Sequence, residues 1–282
     1  MQIGLITPLC WQRYGDFWQV LLADAGLDTI TATADKVRAR LNDKQLEPVV
    51  SWPFRLAVAE ALALQSCDVL LAPRLNPAAT TGRGAAQDPW ITNFPETLEA
   101  LFPSLPPVIA VPAALEHDLE TNATTILQTL THDPGSVRRV WQRFRGRVKS
   151  YTPKISNPHW QRGSDTTVGV VAQPWLLPLA SKLEQDGEYV ISQGQLDSKM
   201  LRAEGARIDP ALLDTDLEVL GAARLMSRRG SISKVRFLAD TRSSADNWLA
   251  RRMDDLLRKP FEVVPLETVV SIDDLMQVLL HP

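Results

Sequence analysis

The chain has 282 residues, of which 45% are hydrophobic and 22% are charged. This composition is typical of a folded, core-forming protein and excludes disorder over most of the length. The length predicts two domains or one large one. No apolar run approaches about 18 residues, and segment 1–6 lacks the basic and hydrophobic regions of a signal peptide, so we expect no membrane partner and a cytoplasmic location. The net charge of −3 gives no overall attraction to nucleic acid.

Few residues point to metal or catalytic chemistry. The two cysteines cannot form a disulfide framework, and they cannot alone supply the four ligands of an iron–sulfur cluster. The four histidines are scattered and lack metal-ligand spacing. The chain has neither a phosphate-binding P-loop nor a nucleophile elbow. We therefore expect no cofactor and no metal, and no catalytic residue can be assigned from the sequence.

The first part of the chain alternates short apolar strands with helices. The predicted strands are 2–7, 28–32, 69–72 and 108–111, and the predicted helices are 17–25, 34–41, 54–65 and 95–101. Alternation of this kind predicts a parallel sheet that is covered by helices.

The middle of the chain breaks this alternation, which then resumes at residue 167. Two helices over 115–131 and 136–151 are followed by a linker over 154–165 that is rich in Pro, Asn, Ser and Gly. Beyond it, the predicted strands are 167–172, 189–192, 234–239 and 261–266, and the predicted helices are 176–185, 217–228, 245–257 and 272–280. We expect a close helix contact at Gly221.

The two alternating parts repeat each other. Ile3-Gly4-Leu5-Ile6 and Val168-Gly169-Val170-Val171 are both strands with glycine second, followed by a proline, an aromatic residue and a helix. We predict an α/β protein with two related domains, whose mostly parallel sheets are flanked by helices and joined by a helical segment. The predicted boundaries are 1–114, 115–165 and 166–282. The alternative is that any two α/β domains look alike at this level.

Several segments, in the right order along most of the chain, resemble one family. They are Ile3-Gly4 through Phe17-Trp18, residues 50–56, 68–74 and 88–96, and in the second part Leu217–Gly221 and Asp240-Thr241-Arg242-Ser243. Together they resemble the 2-hydroxyacyl-CoA dehydratase group, especially its activase-related subfamily. In that family, cysteines at these strand ends bind an iron–sulfur cluster.

The positions that match those cysteines hold other residues here. They are Ser51, Arg74, Asp88 and approximately Ser243. Hydroxyl, guanidinium and carboxylate groups do not replace soft thiolate ligands. The resemblance therefore implies a relative that lacks the cluster and its radical redox chemistry.

Loops after the strands are expected to converge in a cleft between the domains, because ligands of open α/β sheets bind beyond the carboxyl ends of the strands. The candidate ligand-binding residues are Ser51, Trp52, Arg55, Arg74, Arg83, Asp88, Trp90 and Ser243, with Asn76, Thr80, Thr81, Gly82 and Gly84 in the same loops. The arginines suit a phosphate or carboxylate. The expected partner is an anionic small molecule, which the resemblance suggests is a CoA ester, or a protein.

Two alternatives to this cleft stay open. The loop after the third strand is either a solvated surface loop or the site of an Arg74–Asp88 ion pair, which would fill the space left by the cluster. A cleft filled by its own side chains would indicate a non-catalytic scaffold or interaction protein.

Residues 134–164 carry eight basic residues and no acidic one, whereas the rest of the chain has a net charge of −11. The patch comprises Arg138, Arg139, Arg143, Arg145, Arg147 and Lys149, with Lys154 and Arg162 further on. Trp141, Phe144, Tyr151 and Trp160 interleave with these cations, as in surfaces that bind nucleic acid. An anionic ligand or partner and a solvated helix face are the alternatives. Because Val137, Val140, Trp141, Phe144 and Val148 have helical spacing, we expect these aromatic side chains in the core.

Overall fold

The computed structural model describes residues 1–76, 83–115, 118–151, 167–185 and 187–280. The predicted linker over 154–165, the basic residues Lys154 and Arg162, and the loop residues Thr80, Thr81 and Gly82 lie outside these residues. We call residues 1–151 the first half and residues 167–280 the second half.

Both halves alternate strands and helices. The strands are β1 (Gln2–Leu5), β2 (Asp28–Ile30), β3 (Val69–Arg74), β4 (Val108–Pro112), β5 (Thr167–Ala172), β6 (Tyr189–Ser192), β7 (Lys234–Ala239) and β8 (Phe261–Pro265). The helices of the first half are α1 (Trp11–Asp24), α2 (Ala34–Arg40), α3 (Trp52–Ala63), α4 (Pro89–Thr92), α5 (Phe94–Leu101), α6 (Leu119–Thr131), α7 (Pro134–Phe144) and α8 (Val148–Tyr151). Those of the second half are α9 (Ser198–Ala206), α10 (Asp214–Ser227), α11 (Ser244–Leu256), α12 (Leu266–Val269) and α13 (Ile272–Leu279).

The strands form two four-stranded sheets with the same order, β2-β1-β3-β4 and β6-β5-β7-β8, and every pairing is parallel. Helices flank both sheets, so the predicted α/β class with two parallel sheets is confirmed. The glycine that the two first strands share has a packing reason in each half. A Cβ on Gly4 would lie 2.7 Å from Leu70 Cδ2, and one on Gly169 would lie 2.7 Å from Met226 Sδ. The boundaries at 115 and 166 stay a prediction.

The helical segment α6–α8 packs against α1. Phe144 of α7 lies edge-on to Phe17 of α1, with ring centroids 5.3 Å apart, and Tyr151 stacks on Phe144 at 5.7 Å. Trp141 and Phe144 are buried, which confirms the expectation that these aromatics belong to the core. No helix among the described residues is long and apolar enough to cross a membrane.

Several of the predicted helices differ from those observed. The helix expected over 17–25 begins six residues earlier, at Trp11, and Gly15 in this added stretch lets the Trp11 ring pack closely, since a Cβ there would lie 2.1 Å from Trp11 Cε2. The helix expected over 217–228 begins at Asp214, where acidic residues favour a helix N-terminus. The helix expected over 136–151 is interrupted by a 3-10 turn at Arg145–Arg147, in which Gly146 supplies a poor helix former. The helix expected from 115 begins at Leu119, because Asp118 has a left-handed backbone conformation (φ 50°). The segment expected as a helix over 176–185 is a 3-10 helix over Pro174–Leu183, since Pro178 inside it has no N–H to donate.

One long helix, α9, was not predicted. Its sequence is rich in polar residues and has no clean apolar stripe. Its signal was the N-cap residue Asp197, whose side chain accepts a hydrogen bond of 2.9 Å from the backbone N–H of Met200. The close helix contact expected at Gly221 is confirmed, because a Cβ there would lie 1.9 Å from the carbonyl oxygen of Leu201 in α9.

Candidate functional site

The two halves meet where their central strands end. We call this contact the seam, and its main residues are Ser51, Trp52, Asn76, Ala85, Gln173, Thr215, Asp216, Asp240 and Asp246. Parallel sheets present their ligand sites at the carboxyl ends of the strands, where the strand order reverses. In this chain the carboxyl ends of β1 and β3 lie near those of β5 and β7. The seam therefore lies at the position where a ligand cleft was predicted.

Backbone donors of each half are paired with acceptors of the other across the seam. Asp240, which follows β7, accepts a hydrogen bond of 2.6 Å at Oδ2 from the N–H of Trp52, the first residue of α3. Asn76, which follows β3, accepts one of 3.2 Å at Oδ1 from the N–H of Thr215 in the first turn of α10. Each half therefore caps a helix of the other.

The N-terminus of α3 is already bound by a carboxylate of the protein itself, that of Asp240. Ser51, at the N-cap position, makes no side-chain capping bond, and the carboxylate of Asp240 takes that role. A helix N-terminus carries about half a positive charge, which favours an anionic group there. The carboxylate of Asp240 thus occupies the position that an anionic ligand of α3 would take.

Three buried carboxyl groups, those of Asp216, Asp240 and Asp246, lie together at this contact. Asp216 accepts hydrogen bonds from the N–H of Ala85 at 3.1 Å and from Gln173 Nε2 at 3.5 Å, and Asp246 accepts one of 2.8 Å from the N–H of Asp240. Burial raises the pKa of Asp216 to about 7. Burial, together with the negative charges of Asp240 and Asp216, raises the pKa of Asp246 well above its usual range. Burial therefore favours the neutral, protonated form of the Asp246 carboxyl.

The seam is reinforced by a ring contact and by a buried glutamate that pairs with two arginines. The ring of Phe54 lies edge-on to that of Trp175, with centroids 5.3 Å apart. Glu218 of α10 is buried, and it binds Arg13 of α1 and Arg202 of α9 at 2.8 Å each. Of these two pairs, the one with Arg13 joins the halves, whereas Arg202 and Glu218 both belong to the second half.

Four of the predicted ligand-binding residues lie at or beside the seam. The indole ring of Trp52 has the guanidinium of Arg242 at 4.3 Å from its centroid and that of Arg55 at 5.8 Å. Arg55 also donates to the carbonyl oxygen of Leu41 at 3.1 Å. Ser51 precedes α3, and Ser243 caps α11 by accepting a hydrogen bond of 3.2 Å from the N–H of Asp246.

The other four predicted residues have separate roles. Arg74 forms an ion pair with Glu96 of α5, and Arg83, whose side chain is 72% exposed, lies 3.8 Å from Asp209. Asp88 caps α4 by accepting from the N–H of Trp90 at 2.9 Å, and burial raises its pKa.

Trp90 is buried against Phe94, with ring centroids 6.2 Å apart. The alternative of an Arg74–Asp88 ion pair is wrong. Among the described residues Arg74 reaches Glu96 in the first turn of α5, while the carboxylate of Asp88 turns toward the start of α4.

These roles do not fit an iron–sulfur cluster. The four positions matched to the family's cysteines are an unused N-cap serine, an ion-paired arginine and two helix-capping side chains. Burial raises the pKa of the Cys10 thiol to about 12, so this cysteine is a poor source of the thiolate that such clusters need. Within the described ranges, no group of three or more His, Cys, Asp and Glu residues is arranged to hold a metal ion.

The basic patch divides into paired and unpaired cations. Arg147 forms an ion pair with Asp24 and lies over the ring of Phe144, and Arg143 donates to the Asp24 carbonyl oxygen at 3.5 Å. The remaining members have no acidic partner in the part of the chain that the structure describes. They are Arg138, Arg139, Arg145 and Lys149.

A groove of about 620 Å³ lies beside these cations, between α6 and α7. Its lining includes Thr124, Gln128, Trp141, Arg138 and Arg145. We call this groove with Arg138, Arg139, Arg145 and Lys149 the basic face. It combines exposed positive charge with a partly apolar floor.

Comparisons of the chain with protein-family models, with curated proteins and with solved structures found no match.

Sequence reasoning missed several residues that build the seam, chiefly Gln173, Asp216 and Asp246. The available signal was the pair of aspartates at the start of α10, Asp214 and Asp216, because acidic residues favour helix N-termini.

Proposed function

We propose that the protein is a non-catalytic, cluster-less relative of the 2-hydroxyacyl-CoA dehydratase group that acts by binding an acidic protein partner through the basic face. The observation that carries this proposal is the contrast between its two candidate surfaces. At the seam, charged groups and backbone donors are engaged by one another. On the basic face, four cations have no acidic partner among the described residues.

The seam supports an interaction protein better than a ligand cleft. An anionic small molecule such as a CoA ester, bound between the halves, would need free cations and a free helix start. Arg74 is held by Glu96, and the start of α3 is held by Asp240. A ligand there would have to displace a carboxylate from a bond of 2.6 Å.

The basic face suits a protein partner better than nucleic acid. Phe144 is buried, and Trp141, which lines the groove, is only 6% exposed, so neither ring is open enough to stack on a base. The groove lining mixes Val137 and Trp141 with Thr124, Gln128 and the acidic Glu120. Unpaired cations around a partly apolar groove match an acidic, amphipathic segment of a protein.

Fluorescence anisotropy with a labelled poly-glutamate peptide and a labelled DNA single strand of equal length tests this proposal. We expect salt-dependent binding of the peptide, weakened by at least about tenfold when Arg138, Arg139 and Arg145 are replaced by Glu. The matched control changes three exposed cations of the second half, Lys199→Glu, Arg251→Glu and Arg252→Glu, and should leave binding within about twofold.

Two outcomes would overturn the proposal. Tighter binding of DNA than of the peptide, lost in the basic-face variant, would assign the face to nucleic acid. Equal losses in both triple variants would show attraction to overall charge, without a defined surface.

A further inference from the structure

A second cationic surface lies in the other half of the molecule. Arg207, Arg224, Arg228 and Arg258 line a groove of about 430 Å³, whose floor is made by Ile208, Ser227 and Leu256. We call it the arginine groove. Its arginines come from the C-terminal ends of three helices, α9, α10 and α11.

The charges in this groove are unbalanced. Glu204 is largely buried, and its carboxylate is shared by Arg207 at 2.8 Å, Arg224 at 3.3 Å and Arg228 at 3.4 Å. No acidic side chain is among the described residues that line the groove. One carboxylate against four guanidinium groups leaves a surplus of three positive charges.

Helix ends alone do not account for this surplus. A helix C-terminus carries about half a negative charge, so the three helix ends together offset about one and a half positive charges. A net positive charge remains, and Arg224 is the most buried of the arginines that contact Glu204. Guanidinium groups in such a place favour an anion that can accept several hydrogen bonds at once.

The groove is also built on a rigid support. Helices α9 and α10 are in backbone contact, since a Cβ on Gly205 would lie 2.2 Å from the carbonyl oxygen of Leu217. Glu204 then fixes three of the guanidinium groups relative to each other. Cations held in place before binding lose less conformational entropy when a ligand arrives.

From these features we propose that the arginine groove binds a small molecule that carries two or more linked phosphate groups. A single phosphate would satisfy one or two of the four guanidinium groups, whereas a chain of phosphates reaches across the groove. The volume falls in the range of about 300–1,000 Å³ that is usual for small-molecule sites. Ile208 and Leu256 provide an apolar surface for the remainder of such a molecule. The proposal does not depend on the basic face, which lies in the other half.

Isothermal titration of the full chain with inorganic tripolyphosphate, with sulfate as the comparison anion, tests this site. We expect one tripolyphosphate per chain, bound at least about tenfold more tightly than sulfate. Arg228→Gln with Arg258→Gln should weaken tripolyphosphate binding by at least about tenfold, and both side chains are exposed, so the fold should be kept.

The control makes the same change of charge on the basic face. Arg138→Gln with Arg139→Gln should leave tripolyphosphate binding within about twofold, because those side chains lie in the first half. Tripolyphosphate binding no tighter than that of sulfate, or an equal loss in the two double variants, would overturn the proposal.

Discussion

The backbone N–H of Trp52 donates a hydrogen bond of 2.6 Å to Asp240 Oδ2, so an aspartate of the second half caps a helix of the first. The same carboxylate accepts at Oδ1 from the N–H of Arg242 at 3.2 Å, and the guanidinium of Arg242 covers the ring of Trp52. The Asp240 side chain thus links the end of β7 to the start of α3, and Arg242, which it contacts, covers the ring of Trp52.

Replacing Asp240 should therefore destabilise the protein through the seam. We expect Asp240→Ala to lower the free energy of unfolding by about 2 kcal/mol, because a helix cap and a buried acceptor are lost together. Asp240→Asn keeps an acceptor and should cost less. Urea denaturation measures both, with the exposed Asp254→Ala as the control. Equal costs for the Ala and Asn variants would mean that the hydrogen bond to Trp52 contributes little.

The buried carboxyl of Glu60 should make stability depend on pH. It accepts a hydrogen bond of 2.7 Å from the N–H of Thr7, and burial raises its pKa to about 8. Between about pH 4 and pH 8 the folded protein holds this proton while the unfolded chain releases it. Stability therefore falls as pH rises through this window, and Asp216, with a pKa of about 7, adds to the same trend.

Urea midpoints compared at about pH 5.5 and about pH 8.5 measure this effect. Glu60→Gln stays neutral at every pH and should flatten the dependence. The exposed Glu47→Gln serves as the control and should keep it. A Glu60→Gln variant whose midpoint still falls as steeply as that of the wild type would contradict the prediction.

The contact between α9 and α10 should not tolerate a side chain at either glycine. A Cβ on Gly221 would lie 1.9 Å from the carbonyl oxygen of Leu201, and one on Gly205 would lie 2.2 Å from that of Leu217. Because backbone atoms must move apart, Gly221→Ala should lower the free energy of unfolding by about 2–3 kcal/mol. Gly230→Ala, which meets no atom within 4 Å, should leave the melting temperature unchanged or slightly raised. Calorimetry gives the melting temperatures of the two variants, and a Gly221→Ala variant as stable as Gly230→Ala would contradict the prediction.

Arg236 of β7 should be important for the second sheet, because its side chain is only 1% exposed. It donates at 2.9 Å each to Glu262, Gln185 and the carbonyl oxygen of Leu183, and it forms an ion pair with Glu188. Arg236→Met removes every one of these donors and should cost about 3 kcal/mol.

The control for Arg236 lies two residues away on the same strand. Lys234 also contacts Glu188, at 3.1 Å, but its side chain is 30% exposed. Lys234→Met should cost less than about 1 kcal/mol in the same denaturation experiment. If the two variants proved equally unstable, burial of the guanidinium would not be the cause.

Much of the fold followed from local sequence patterns. The strands over 167–172, 189–192 and 234–239 were predicted with their observed limits, because short runs of Val, Ile and other apolar residues end at turn or polar residues there. Helix α9 was missed because its polar residues give no apolar stripe. The local signal that it did offer was a single capping residue, Asp197.

The candidate site was harder to predict, because it depends on contacts between distant parts of the chain. Ser51, Trp52 and Ser243 were predicted to lie near one another because ligand sites of open α/β sheets lie beyond the carboxyl ends of the strands. Helix α10 was expected to begin at 217, so Asp216 fell outside it and its bond to Ala85 had no basis in the sequence. The start of α5 was predicted to within one residue, but the pairing of Arg74 with Glu96 depends on how α5 packs beside the end of β3, which local patterns do not give.

The reciprocal capping at the seam has the form of a contact in a symmetric homodimer, where a surface of one subunit meets the same surface of another. Here both copies of the repeated unit lie on one chain, and strand-end acceptors meet helix starts in both directions. Joining two such units covalently makes their association independent of protein concentration. It also allows the two copies to diverge, so that the second carries the arginine groove while the first is followed by the helices of the basic face.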